Sequence, residues 1–96
     1  DRMTYQITWD EKTRDFLRKL NKPDAQRIVK KVNSIVEDPQ HYLESLVGLE
    51  CYKLRIGDYR VLVDVNESTK NISVLLIGHR REIYQYVQKV GFARKR

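Results

Sequence analysis

The chain has 96 residues, 41% of them hydrophobic, and a formal net charge of +6. This length predicts one domain over residues 1–96 with a single modest core, and the hydrophobic share argues against disorder. No apolar run is long enough to span a membrane, no signal peptide is visible, and Cys51, as the only cysteine, cannot form an internal disulfide. We therefore expect a cytoplasmic protein whose positive charge favours nucleic acid, an anionic membrane surface or an acidic protein as partner.

The first part of the chain predicts a strand followed by two helices. Residues 5–9 alternate polar and apolar side chains, as a short strand does, and Asp10 is a suitable N-cap for the next helix. The apolar stripe of that helix consists of Phe16, Leu17 and Leu20. A second helix is expected over residues 24–37, where one helix face carries Ile28, Val32, Ile35 and Val36. The break at residues 21–24 makes the pair an αα-hairpin.

Three strands are expected in the middle of the chain. Residues 41–48 are predicted to be a loop or a short turn of helix, and strands follow at 50–56, 59–66 and 71–78. The connections between these strands are short, which predicts an antiparallel meander. The third strand is almost continuously apolar, which favours a central position in the sheet.

The chain is expected to end in a short helix over residues 83–90, which Gly91 would stop, followed by a basic tail at residues 94–96. The predicted order is therefore β-α-α-β-β-β-α, an α+β fold with a small antiparallel-rich sheet. We expect the αα-hairpin to cover one face of this sheet and the C-terminal helix to pack near its edge. The other face would then stay partly open.

Four cations are expected on the open face. Because side chains alternate between the two faces of a strand, Lys53 and Arg55 point to the same side, and Arg60 and Arg80 converge on it from later segments. These four residues are called the cationic cluster below. Tyr52, on the opposite side of its strand, is expected in the core. Like charges held together repel each other, so the cationic cluster predicts an anionic partner, and we expect RNA phosphate.

Three segments carry a resemblance to a known family, and they are Tyr52-Lys53-Leu54-Arg55, Gly57-Asp58-Tyr59-Arg60-Val61 and Ile77-Gly78-His79-Arg80-Arg81-Glu82-Ile83-Tyr84. In their order and spacing they resemble the RelE/ParE superfamily of toxins from toxin–antitoxin systems, and within it the RelE-like mRNA interferases. The resemblance covers nearly the whole chain. Some relatives poison gyrase and others are inactive, so a ParE-like gyrase poison and an inactive module that binds RNA or an antitoxin remain open alternatives.

The resemblance implies a ribosome-dependent endoribonuclease that cuts mRNA in the A site and inhibits translation. It also implies a RelB-like antitoxin as partner, in a toxin–antitoxin hetero-oligomer. The catalytic residues it implies are Lys53, Arg55, Arg60, Arg80 and Tyr84. The RNA-binding residues it implies are Lys53, Arg55, Arg60, His79, Arg80 and Arg81. Tyr86 competes with Tyr84 for the role of the C-terminal tyrosine, and His79 and Arg80, as neighbours on a strand, would not both enter the site.

The chemistry expected of such a site is metal-independent attack by the RNA 2′-OH, which needs a base, donors for the phosphorane charge and an acid for the leaving oxygen. Lys53 is the only candidate base in the cationic cluster, because arginine does not give up its proton. No cluster of metal ligands or cofactor motif is present, so neither is expected. Glu44 and Glu50 could serve as bases, as in some relatives, but they lie outside the matching motifs, and we expect structural roles for them. Arg60 could instead form an ion pair with Asp58 or Asp64.

Overall fold

The computed structural model describes residues 4–46 and 50–94, and it shows the predicted α+β fold with two additional short elements. In chain order the elements are β1 (Gln6–Trp9), α1 (Glu11–Lys19), α2 (Lys22–Ser34), α3 (Pro39–Tyr42), β2 (Glu44–Ser45), β3 (Tyr52–Ile56), β4 (Tyr59–Asn66), β5 (Asn71–His79) and α4 (Arg80–Arg94). The additions are α3 and β2, and they occupy the segment for which the sequence predicts a loop or a short helical turn. Residues 47 and 48 of that segment lie outside the described residues.

The five strands form one mixed sheet in the order β1-β5-β4-β3-β2. Strands β2 to β5 pair antiparallel, as the short connections predict, whereas β1 pairs parallel to β5. The expected interior position of the apolar strand β5 is confirmed, although β4 is the middle strand. Strand β4 therefore has hydrogen-bonded neighbours on both sides along its length, which gives the residues it carries a rigid support.

The αα-hairpin packs on one face of the sheet and forms the main core with it. Side chains that are nearly or fully buried there include Ile28, Val32 and Ile35 from α2 and Leu54, Val61, Val63, Ile72 and Val74 from the sheet. Burying one such side chain contributes about 1.5–3 kcal/mol. Helix α1 starts after the expected N-cap, because Asp10 Oδ1 accepts the Thr13 N–H at 2.9 Å. The bounds predicted for the second helix, 24–37, are wrong at both ends: α2 spans Lys22–Ser34, and it starts earlier because Asn21 Oδ1 caps it by accepting the Asp24 N–H at 3.0 Å.

Helix α4 packs on the opposite face through Ile83, whose side chain is 1% exposed. Gly78 permits this approach, because a Cβ there would lie 3.2 Å from Ile83 Cδ1. The predicted bounds of this helix are wrong at both ends, since it starts at Arg80 and continues through Gly91 to Arg94. A glycine inside a helix costs about 1 kcal/mol relative to alanine, which weakens the helix without ending it. Residues 95 and 96 of the basic tail lie outside the described residues.

The core position predicted for Tyr52 is wrong, because its side chain is 37% exposed. Its cross-strand neighbour on the edge strand β2 is Ser45, a side chain too small to cover an aromatic ring. The ring instead lines a cavity of about 220 Å³ together with Pro39 and Leu43. Within the described residues, no helix combines the length and the apolar character needed to cross a lipid bilayer.

Candidate functional site

The turn between β3 and β4 fixes the position of Arg60. Its Nη1 donates to the carbonyl oxygens of Gly57 and Tyr59, each at 2.8 Å. The carbonyl oxygen of Asp58, which lies between them, accepts the backbone N–H of Arg80 at 2.8 Å. Gly57 has a φ of +57°, a left-handed conformation that glycine adopts without strain. One turn therefore orients both the Arg60 guanidinium and the first residue of α4.

Arg60 is a buried cation that hydrogen-bonds carbonyl groups. It is 3% exposed, and its Nε atom is buried without a hydrogen-bond partner among the described residues. The alternative of an ion pair is not formed, because in the part of the chain that the structure describes Arg60 bonds these carbonyls rather than the Asp58 or Asp64 carboxylate. A guanidinium without a carboxylate partner keeps its positive charge available to an incoming anion.

Tyr84, on α4, lies against two cations of the sheet. The centroid of its ring is 5.6 Å from Lys53 Nζ and 6.0 Å from Arg60 Cζ, within the range of cation–π contact. Hydrogen bonding by Arg60 is the largest cause that lowers the pKa of Tyr84, and the charges of Arg60, Lys53 and Arg80 lower it further, although burial opposes them. Residues two apart do not share a helix face, so Tyr84 rather than Tyr86 meets the cations.

Lys53 has a second partner, Glu44, for which the sequence predicts only a structural role. Strands β2 and β3 pair Glu44 directly with Lys53, and Glu44 Oε1 lies 3.4 Å from Lys53 Nζ. The Lys53 side chain is 20% exposed, and that of Glu44 is 72% exposed. This ion pair restrains the position of the ammonium group. No sequence motif marks Glu44, since its place beside Lys53 depends on the register of a strand only two residues long.

The other expected site residues divide between the two faces of the sheet. Arg55 is exposed and lies directly across from Arg60 in the β3–β4 register. Arg80 is exposed and close enough to Tyr84 for its charge to lower the pKa of that phenol. Arg81 is also exposed on α4.

His79 lies on the opposite face of the sheet. Its ring packs edge-on against Tyr59 with 5.5 Å between the centroids, and Tyr59 donates its hydroxyl hydrogen to Asp24 of the αα-hairpin at 3.0 Å. Of the neighbours His79 and Arg80, it is therefore Arg80 that accompanies Tyr84. The roles of all these residues stay predictions.

The geometry suits an anion better than a metal ion. Among the described residues, no three His, Cys, Asp or Glu side chains come together in a group that could hold a metal. The open face instead presents Lys53, Arg60 and Arg80 around the ring of Tyr84, with Arg55 across from Arg60. Such a combination can bind a phosphate group, stabilise additional negative charge on it and stack a nucleobase beside it.

Comparison with known proteins assigns the chain to a family. The model of the family described as ParE toxin of type II toxin–antitoxin system, parDE, matches residues 7–84. The chain belongs to this toxin family. The family is part of the RelE/ParE superfamily, so the resemblance found in the sequence is confirmed. The matched residues include the whole cationic cluster and Tyr84. Among curated protein sequences, none matches this toxin significantly.

Solved structures similar to this toxin include RelE proteins. A RelE–RelB complex from Pyrococcus horikoshii matches with a TM-score of 0.69 and 26% identity over 80% of this chain and 96% of that chain. A mutant of Escherichia coli RelE in the free state matches with a TM-score of 0.67 and 26% identity over 90% and 96%. The RelBE2 complex of Mycobacterium tuberculosis, with a TM-score of 0.74 and 20% identity over 80% and 92%, is similar in fold. The protein is thus a type II toxin with a RelE-like fold.

Proposed function

We propose that this toxin is a ribosome-dependent endoribonuclease that cleaves mRNA in the A site by metal-independent 2′-OH attack. The observation that carries the proposal is the convergence of Lys53 and Arg60 on the ring of Tyr84, with Arg55 and Arg80 beside them. Its action on translating ribosomes would inhibit protein synthesis in the cytoplasm. A RelB-like antitoxin would neutralise it in a hetero-oligomer, a partner suggested by the RelB-type antitoxins in the similar complexes.

Arginines supply the electrostatic part of the proposed reaction. Arg60 is held by two carbonyl groups before any substrate binds, so little reorganisation is needed when charge develops on the phosphate. Arg55 and Arg80 are exposed and can follow the RNA backbone on either side. Loss of one such preorganised donor costs about 10²–10³ in rate. Arg80 lies near Tyr84, since its charge lowers the pKa of that phenol. We propose that Arg80 also stabilises the leaving oxygen.

Two groups are candidates for the base that takes the 2′-OH proton. Lys53 is the only member of the cationic cluster that can accept a proton, but a lysine must first lose one at neutral pH, and the Lys53 ammonium lies 3.4 Å from Glu44 Oε1. Glu44 itself is a carboxylate that can accept a proton directly. In that case Lys53 acts as a fixed positive charge on the phosphate.

Tyr84 is proposed to hold the nucleotide next to the cleaved bond. Its ring is 47% exposed, so one face can stack on a base while Lys53 and Arg60 fix its orientation. Arg81 would contribute charge along the RNA. His79, on the opposite face, would contact RNA only outside the site.

The experiment that tests the proposal is induced expression followed by mapping of mRNA 5′ ends. New ends are expected within a translated reporter message and are expected to be absent from the same message without its start codon. Expression of an Arg80→Ala variant is the matched control, because this residue is exposed and its loss is expected to leave the fold intact. Equal cutting of the translated and untranslated messages would contradict the dependence on ribosomes.

A gyrase-poisoning toxin is the second candidate, because the matching family is that of ParE toxins. Such a toxin needs a protein-binding surface and no phosphate-cleaving cluster. Inhibition of gyrase supercoiling by the purified toxin, without any new mRNA 5′ ends, would favour this candidate. An inactive module that binds RNA or the antitoxin would give neither result.

A further inference from the structure

A pocket of about 300 Å³ lies directly beside the cationic cluster. It is lined by Leu46, Lys53, Ile83, Tyr84, Val87 and Gln88. Lys53 and Tyr84 therefore belong both to the cluster and to the pocket. An RNA phosphate bound at the cluster would place a neighbouring base at the pocket mouth, because the two sites share these side chains.

Helix α4 provides one continuous wall of this pocket. Ile83 and Val87 are four residues apart, as are Tyr84 and Gln88, so both pairs lie on adjoining rows of the helix surface. Ile83 is buried, Val87 is half-buried, and Tyr84 and Gln88 are exposed at the mouth. The wall is thus apolar at its base and polar at its rim.

The chemistry of the lining matches a nucleobase. Flat apolar surfaces and an aromatic ring favour stacking, and few polar groups are available to read an edge. The Gln88 amide offers both a donor and an acceptor, the pair that matches the N6 and N7 edge of adenine. Positive charge from Lys53 at the mouth favours a ligand that carries phosphate, which an apolar peptide side chain lacks.

We propose that this pocket binds a base adjacent to the cleaved phosphate, with adenine preferred, and so contributes to the sequence preference of cleavage. The proposal rests on the proposed RNA cleavage. Val87 and Leu46 form apolar walls around the base, and Gln88 is the residue that discriminates among bases. This assigns a specificity role to side chains outside the cationic cluster.

The test uses the full-length toxin on ribosomes programmed with messages randomised at the A-site codon. Wild type should favour adenine at one codon position, and Gln88→Ala should reduce that preference about 10-fold, the lower end of what one pocket contact provides. Val87→Trp, which fills the pocket, should lower cleavage of the preferred codons by a similar factor. Gln85→Ala is the matched control, because Gln85 is exposed on the same helix and does not line the pocket.

A binding measurement separates failure of this proposal from failure of the proposed cleavage. Short 2′-O-methyl RNA carrying either adenine or an abasic site next to the central phosphate is titrated at low salt, where phosphate contacts are strong. Adenine should bind about 10-fold more tightly than the abasic RNA, and Val87→Trp should abolish the difference, whether or not the wild type cleaves. Equal affinities, an unchanged codon profile in Gln88→Ala, or variants that weaken only antitoxin binding would overturn the nucleobase assignment.

Discussion

At the scale of the residue, the two arginines oriented by the turn between β3 and β4 differ in burial, and we expect their substitutions to differ in effect on stability. Arg60 is 3% exposed and hydrogen-bonds two carbonyl groups, so Arg60→Ala should lower both activity and the free energy of unfolding, the latter by about 1–3 kcal/mol. Arg80 is exposed, and Arg80→Ala should lower cleavage while changing stability by about 0.5 kcal/mol or less. Denaturant unfolding and cleavage rates measured on both variants check this. Equal stability of the two variants would show that the carbonyl contacts of Arg60 contribute little.

A second prediction at this scale concerns the base. If Lys53 takes the 2′-OH proton, Lys53→Arg should lower the rate by about 10² or more, because arginine keeps the charge and cannot accept a proton. If Glu44 is the base, Lys53→Arg should be mild and Glu44→Gln should produce the large loss. Single-turnover rates on programmed ribosomes distinguish the two outcomes. Full activity of both variants would remove this pair from the proton transfer and leave a purely electrostatic site.

At the scale of the element, a hydrogen bond joins the start of β1 to the turn between β4 and β5. The Tyr5 hydroxyl donates to Glu67 Oε1 at 2.6 Å, and this bond is the largest cause that lowers the pKa of Glu67 and raises the pKa of Tyr5. The Glu67 contribution to stability is therefore present above the ordinary carboxyl pKa and lost as pH falls through the lowered one. The Tyr5 contribution is present below the ordinary phenol pKa and lost as pH rises through the raised one.

Tyr5→Phe should consequently reduce the melting temperature most between about pH 5 and pH 9, where both favourable forms exist. As pH falls through the lowered pKa of Glu67, the difference between wild type and variant should shrink, because Glu67 then becomes protonated in both. Thermal unfolding of the two proteins across this range measures the effect. A difference that stays constant as pH falls from about 7 through the lowered pKa of Glu67 would show that the bond has no linkage to Glu67 ionisation.

The elements also show what could be predicted from the sequence. Helix α2 and the apolar strand β5 were predictable because their hydrophobic patterns repeat over several turns or many residues. Strand β2 was not, because two residues carry no period and are defined only by pairing with β3. The contact between Glu44 and Lys53 could not be predicted for the same reason, because it depends on the pairing of β2 with β3. The shared face of Lys53 and Arg55 was predictable, since side chains alternate along a strand. The choice between His79 and Arg80 was not, because it depends on helix α4 beginning at Arg80.

At the scale of the whole molecule, the charge of +6 and the open face predict how an antitoxin binds. An acidic RelB-like chain should cover the cationic cluster and protect residues 52–66 and 79–89 from hydrogen exchange. Its affinity should fall as salt rises, because the contact is between opposite charges. Residues 11–34 of the αα-hairpin, on the opposite face, serve as the internal control. Protection confined to that hairpin would place the antitoxin away from the cluster.

The most direct test of the central claim is the chemical analysis of the RNA ends made on purified ribosomes with an empty A site. We expect an upstream fragment with a 2′,3′-cyclic phosphate and a downstream fragment with a 5′-OH, because in the proposed reaction the 2′-OH is the nucleophile. Methylation of that 2′-OH at the cleavage position should abolish cutting without displacing the toxin from the ribosome. Cutting of the methylated message, or an upstream fragment ending in a free 3′-OH, would contradict this mechanism.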